Sequence, residues 1–242
     1  MRQKRHATAA ARLRRMHDWL VAAYGPQKWW PAETPFEVVL GAYLTQNTSW
    51  KAVERSLANL RVAGALTIEG MRALSLDELQ RLIQPSGFFT RKAPAIQAFV
   101  AMLDAECAGS LQELAALPTD KLRKRLLALP GVGQETADAI LLYALGHPVP
   151  VADEYLRRIA ARHGLLPPLG SARGRASYEA LAALTSEAFH PDNATVQAQL
   201  YNEFHALTVA VGKAHCGRVA RCENCPLAPD LEEHQQGTAQ KK

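Results

Sequence analysis

The chain has little of what membrane, secreted and β-rich proteins require. No unbroken apolar run in its 242 residues approaches the roughly 18 needed to span a bilayer. The N-terminus lacks the apolar core of a secretory signal, and four cysteines are too few for a disulfide framework at this length. Both absences point to the cytoplasm and to no membrane partner. No segment alternates apolar and polar residues as a half-buried strand does, no internal repeat is visible, and only the polar tail is low in complexity. The expected class is all-α.

What is present is basic charge. The net charge of +5 and pI of about 9.1 favour an anionic partner. Residues 1 to 15 hold Arg2, Lys4, Arg5, Arg12, Arg14 and Arg15 without an acid, which suits either a nucleic-acid-facing arm or a solvated terminus. Basic groups recur at Lys121, Arg123, Lys124 and Arg125 and again at Arg157, Arg158 and Arg162. That recurrence favours a phosphate backbone.

Helical periodicity predicts helices over Leu13 to Tyr24, Phe36 to Tyr43 behind Pro35, Lys51 to Leu60 capped by Thr48 or Ser49, and Lys92 to Cys107. Ser75 with Glu78 predicts a capping box for a helix through Ile83. Further helices are expected over Lys121 to Leu127, Thr136 to Leu145, Tyr155 to Arg162, Tyr178 to Phe189 and Ala194 to Val211, with Pro167 to Arg175 a basic loop.

The sharpest punctuation is Leu129-Pro130-Gly131-Val132-Gly133 between a basic and an apolar helix. It reads as a hairpin whose amides, at a helix start, suit a phosphate; a turn without a ligand is the plain alternative. Trp29-Trp30-Pro31 sets two rings side by side, and adjacent residues point different ways, so at least one ring should line a surface or cleft. Leu44 to Trp50 gathers polar side chains and an aromatic, as a protein needs when it fills a gap in a base stack and holds an expelled base. Asp153 stands where a helix N-cap would, which accounts for it structurally. His205 reads as a satisfied core or surface histidine. Cys216, Cys222 and Cys225 crowd together and read as a metal site before they read as bridges.

These residues resemble the helix-hairpin-helix DNA glycosylases of the endonuclease III superfamily. Leu129 to Gly133 followed by Thr136-Ala137 looks like that family's hairpin, and Asp153, twenty residues past Gly133, like its catalytic aspartate. The resemblance implies an iron–sulfur cluster at Cys216, Cys222 and Cys225. The four-cysteine pattern is incomplete, because the first gap is one residue short and Leu231 stands at the fourth position. Asp230, His234 or an outside ligand would have to complete it; a loop held by packing is the alternative. Bifunctional members carry a lysine at the position of Glu135, and an acid cannot form a Schiff base.

Trp29-Trp30-Pro31, Phe36-Glu37-Val38, Leu44 to Thr48, Pro85 to Phe88, Thr136 to Ile140 and Tyr201 to His205 are similar to the 3-methyladenine DNA glycosylase III branch, whose members are monofunctional. Leu207 falls where that branch has a carbamylated lysine.

The resemblance implies a monomeric enzyme of base excision repair that flips an alkylated purine out of double-stranded DNA and hydrolyses its glycosidic bond. It needs no cofactor for the chemistry. Asp153 would be catalytic. Trp29, Trp30, Pro31 and Trp50 would form the base pocket. Gln46, Leu129, Pro130, Gly131, Val132, Gly133, Lys124, Arg125 and Arg157 would meet DNA. The implied architecture is a six-helix barrel over residues 33–146, a second helical domain from 1–32 and 147–242, and a DNA-binding cleft between them. The alternatives are an oxidised-pyrimidine glycosylase of the endonuclease III type and a non-catalytic binder of distorted DNA.

Overall fold

In the computed structural model, residues 7–165 and 175–231 are described, and among them the regular elements are all helical. The chain divides into two compact units, one of Trp30–Val149 and one of Met1–Trp29 with Pro150–Lys242.

The central unit contains α2 (Pro35–Leu44), α3 (Trp50–Val62), α4 (Ile68–Ala73), α5 (Leu76–Ile83), α6 (Phe89–Cys107), α7 (Leu111–Ala115), α8 (Thr119–Ala128) and α9 (Gln134–Ala139). Helix α2 is apolar except for Glu37, which pairs with Arg61, and every residue from Phe36 to Leu44 is buried, so it forms the middle of this unit's core. Pro35 starts it, and the Thr34 hydroxyl accepts from the Glu37 amide at 3.1 Å. The Ser75–Glu78 capping box forms as expected. Ser49 stands at the N-cap of α3, but its side chain makes no cap hydrogen bond, and the Thr48 amide turns back to the Thr45 carbonyl. The expected hydroxyl cap is therefore not used.

The other unit contains α1 (Ala9–Tyr24), α10 (Glu154–Arg162), α11 (Arg175–Ala188) and α12 (Ala194–Ala214). Its core includes Leu13, Met16 and Leu20 of α1 with Leu156, Ile159, Leu181, Phe204 and Leu207. A β-carbon at Gly212 would lie 2.1 Å from the Tyr155 ring, so glycine is what lets α10 come this close to α12.

The basic N-terminal stretch is not an arm where it is described. Arg12 lies on α1 and is buried, donating to Asp230 at 2.9 and 2.5 Å and to the His163 carbonyl at 2.7 Å. A buried guanidinium needs a buried carboxylate, and that pairing removes Arg12 from any DNA-facing role. Arg14 donates to the Ala188 carbonyl, and Arg15 lies over Trp19. Arg2, Lys4, Arg5, His234 and residues 167–174 of the expected basic loop lie outside the described residues.

Candidate functional site

The hairpin closes through the Val132 amide, which donates to the Leu129 carbonyl, and through Gly131, whose φ of 72° favours glycine. Pro130, Gly131 and Gly133 are exposed, and Gly133 is the N-cap of α9. The first amides of a helix have no acceptor within it, so this apex suits a phosphate. Behind the apex, Arg123 of α8 grips Asp138 of α9 through two hydrogen bonds, at 2.6 and 2.9 Å, and Asp138 is 1% exposed. This clamp holds the two helices of the hairpin together.

Separate ion pairs sort the other basic residues. Arg125 pairs with Glu106, and Arg157 forks onto Glu154 with two 2.6 Å hydrogen bonds. Of the three cations expected to meet DNA, Lys124 is the exposed one.

Gln46 is held against the same hairpin. Its Nε2 donates to the Gly131 carbonyl and to the Thr136 hydroxyl, each at 2.9 Å. Lys92, buried, donates from Nζ to the Leu44 carbonyl at 2.8 Å and the Ser86 carbonyl at 2.9 Å, tying the loop before Gln46 to the turn before Phe88. Burial brings the Lys92 ammonium down to about 8. Phe88 itself is 57% exposed with a left-handed backbone (φ 48°). Its exposure is a tertiary outcome that the sequence pattern did not single out.

The aromatic pocket is only partly gathered. Trp30 meets Trp50 edge-on at 5.5 Å and Tyr143 at 5.3 Å, and it lies so close to α2 that a β-carbon at Gly41 would approach its ring to 3.1 Å. Tyr143 is the aromatic of the π-turn over Ile140–Ala144 that continues α9, and it was missed among its apolar neighbours. Pro31 is exposed. Trp29 belongs to the other unit, where its ring lies 5.4 Å from His205. Adjacent tryptophans thus point different ways, as steric reasoning requires.

Asp153 is 7% exposed at the N-cap of α10, its Oδ1 accepting from the Leu156 amide at 2.8 Å and its Oδ2 lying 3.6 Å from Nε2 of His205. One oxygen of the carboxylate thus caps the helix while the other faces the imidazole.

Cys216, Cys222 and Cys225 line one narrow pocket together with His215 and Leu231. Burial pushes the Cys225 thiol up, and the nearby Cys222 and Cys216 add to it. Arg162 donates to Cys216 Sγ at 3.0 Å. Among the described residues the donor set does not complete a four-ligand cluster. Leu231 supplies an apolar side chain at the fourth position, and Asp230 is unavailable because both its oxygens are taken by Arg12 and His163. Among the described residues no group of three or more His, Cys, Asp or Glu is placed to hold a metal ion.

Among the described residues no helix is long and apolar enough to cross a membrane.

Residues 40–184 match the family described as HhH-GPD superfamily base excision DNA repair protein. The chain is 40% identical over 217 residues to a putative DNA repair glycosylase of Methanocaldococcus jannaschii, covering 88% of this chain and 92% of the relative. It is 27% identical over 194 residues to endonuclease III of Bacillus subtilis, covering 80% and 78% respectively. Among solved structures it is similar to the H. pylori 3-methyladenine DNA glycosylase bound to 1,N6-ethenoadenine, with a TM-score of 0.70 and 26% identity over 86% of this chain and 98% of that one. It shares its fold with endonuclease III in a non-covalent DNA complex (TM-score 0.73, 22% identity, 94% and 98% covered). The chain belongs to the HhH-GPD superfamily of base excision DNA repair proteins and is a DNA glycosylase, an enzyme that hydrolyses N-glycosyl bonds.

Proposed function

We propose that this glycosylase is monofunctional and releases alkylated purines such as 3-methyladenine from double-stranded DNA. The observation that carries the reading is the buried Asp153 carboxylate at the N-cap of α10, with one oxygen capping its helix and the other facing His205. A 3-methylated purine is cationic and already a good leaving group. The enzyme has to turn the nucleotide out, hold it, and stabilise the positive charge that develops on the sugar. A fixed carboxylate supplies that stabilisation by charge.

The aromatic group of Trp30, Trp50 and Tyr143 supports recognition of an electron-poor ring, with a cation–π contribution on the order of 1–2 kcal/mol. The hairpin amides and Lys124 would hold phosphate, Gln46 would fill the space left in the duplex, and Phe88 offers a second stacking face. Glu135, exposed in the first turn of α9, supports hydrolysis without strand cleavage, since a carboxylate cannot form the Schiff base of a lyase.

Replacing Asp153 with Asn is the direct test. Asparagine caps a helix as well as aspartate does, so folding and DNA binding should persist while release of methylated adenine is lost. Unchanged base release in that variant would sink the reading. The similarity to endonuclease III of Bacillus subtilis supports a second reading, oxidised-pyrimidine release. A panel of single-lesion duplexes, assayed for base release with and without alkali, separates the two.

A further inference from the structure

Lys92 of α6 is buried, yet it takes no part in the chemistry described so far. An ammonium withdrawn from water is costly, and among the described residues no carboxylate pairs with this one; burial alone accounts for its fall to about 8. Its charge is met by carbonyls. One belongs to Leu44, the last residue of α2, where the helix supplies that oxygen with no partner of its own and the negative end of its dipole favours a cation. The other belongs to Ser86, and the Lys92 backbone amide donates to the Phe88 carbonyl at 3.0 Å.

The two carbonyls stand in matching places. Gln46 follows Leu44 by two residues, and Phe88 follows Ser86 by two. Each segment also holds a non-glycine residue in left-handed backbone, Asn47 with φ 52° and Phe88 with φ 48°. For a residue as bulky as Phe88 that conformation is strained, and it persists only where the surroundings fix it.

We propose that Lys92 is a positioning residue for base flipping: its one ammonium sets the roots of Gln46 and Phe88 at a fixed separation, so that the two side chains enter the duplex as a single rigid wedge. The inference rests on the reading of Gln46 and Phe88 as the groups that meet the opened base stack. Lys92 is buried and acts only through the two turns it joins. A nucleotide turned out of the helix leaves a gap, and a wedge whose parts are already placed fills it without ordering two loops at the moment of entry.

Single-turnover base release by the full-length protein, from one methylated lesion placed in a duplex and in a single strand, tests this. The duplex-to-single-strand rate ratio cancels any general loss of folded enzyme. Lys92→Met keeps the apolar stem but donates to neither carbonyl, and should lower the ratio about tenfold. On a background of Gln46→Ala with Phe88→Ala, the same substitution should change the ratio by less than about twofold, because the side chains it places are gone. An equal drop on both backgrounds, or an unchanged ratio in Lys92→Met alone, overturns the proposal. Should Lys92→Met not fold, the two prongs decide by themselves. A single wedge requires the losses in Gln46→Ala and Phe88→Ala to combine to less than their product, and losses that multiply independently overturn it. If neither Gln46→Ala nor Phe88→Ala lowers the ratio, the reading beneath fails and this inference with it.

Discussion

Gln46 Nε2 lies 2.9 Å from the carbonyl oxygen of Gly131, so the side chain proposed to enter the duplex is fastened to the loop proposed to grip its phosphate. Engaging DNA through Gln46 exchanges that hydrogen bond, and the one to Thr136, for bonds to the strand left behind.

Gln46→Ala should therefore weaken action on duplexes more than on single strands. Base release from a lesion in a duplex should fall on the order of tenfold, the effect of about one hydrogen bond, with little change on the same lesion in single-stranded DNA. Equal losses on both substrates would remove Gln46 from the duplex-specific step.

The Arg123–Asp138 clamp joins the two helices of the hairpin, and breaking it from the arginine side leaves a buried carboxylate without that partner. Arg123→Met should lower the unfolding free energy by about 2–4 kcal/mol and weaken DNA binding with it. Urea unfolding and fluorescence anisotropy at fixed salt read the two effects.

Asp230 predicts an acid limit. Burial alone would raise its carboxyl, but the hydrogen bonds from His163 and Arg12 and the guanidinium charge outweigh it and hold the group down to about 2. A carboxyl depressed in the folded state stabilises fully above its unfolded value of 3.8, and that stability is lost as pH falls through the folded value. Unfolding free energy should drop by about 2 kcal/mol between pH 4 and pH 2 through this group. In Asp230→Asn that share of the slope should vanish, and a urea series across this range checks it.

Glu135 predicts the outcome of borohydride trapping. The wild-type protein should give no covalent adduct with an abasic duplex, and Glu135→Lys should place an amine where bifunctional relatives carry one and yield a trapped complex. A wild-type adduct on a denaturing gel would contradict the monofunctional reading.

The sequence by itself determined the helical class, most helix positions, the hairpin and the N-cap character of Asp153. Those features follow from local periodicity, from the backbone freedom of Gly131 and from short-range capping, which need only neighbours along the chain. Tertiary structure alone decided which charges are spent internally. Arg12, Arg125 and Arg157 look alike in sequence to Lys124, yet each arginine has a carboxylate brought to it, and two of those carboxylates, Asp230 and Glu106, come from other elements. The same is true of the aromatics and of His205. Trp30 is placed by packing on Trp50, Tyr143 and Gly41, and that an imidazole 52 residues beyond Asp153 faces its carboxylate depends on how α10 packs on α12, where Gly212 meets Tyr155. Pairing across such separations is set by packing, because no local pattern records which buried surfaces will meet.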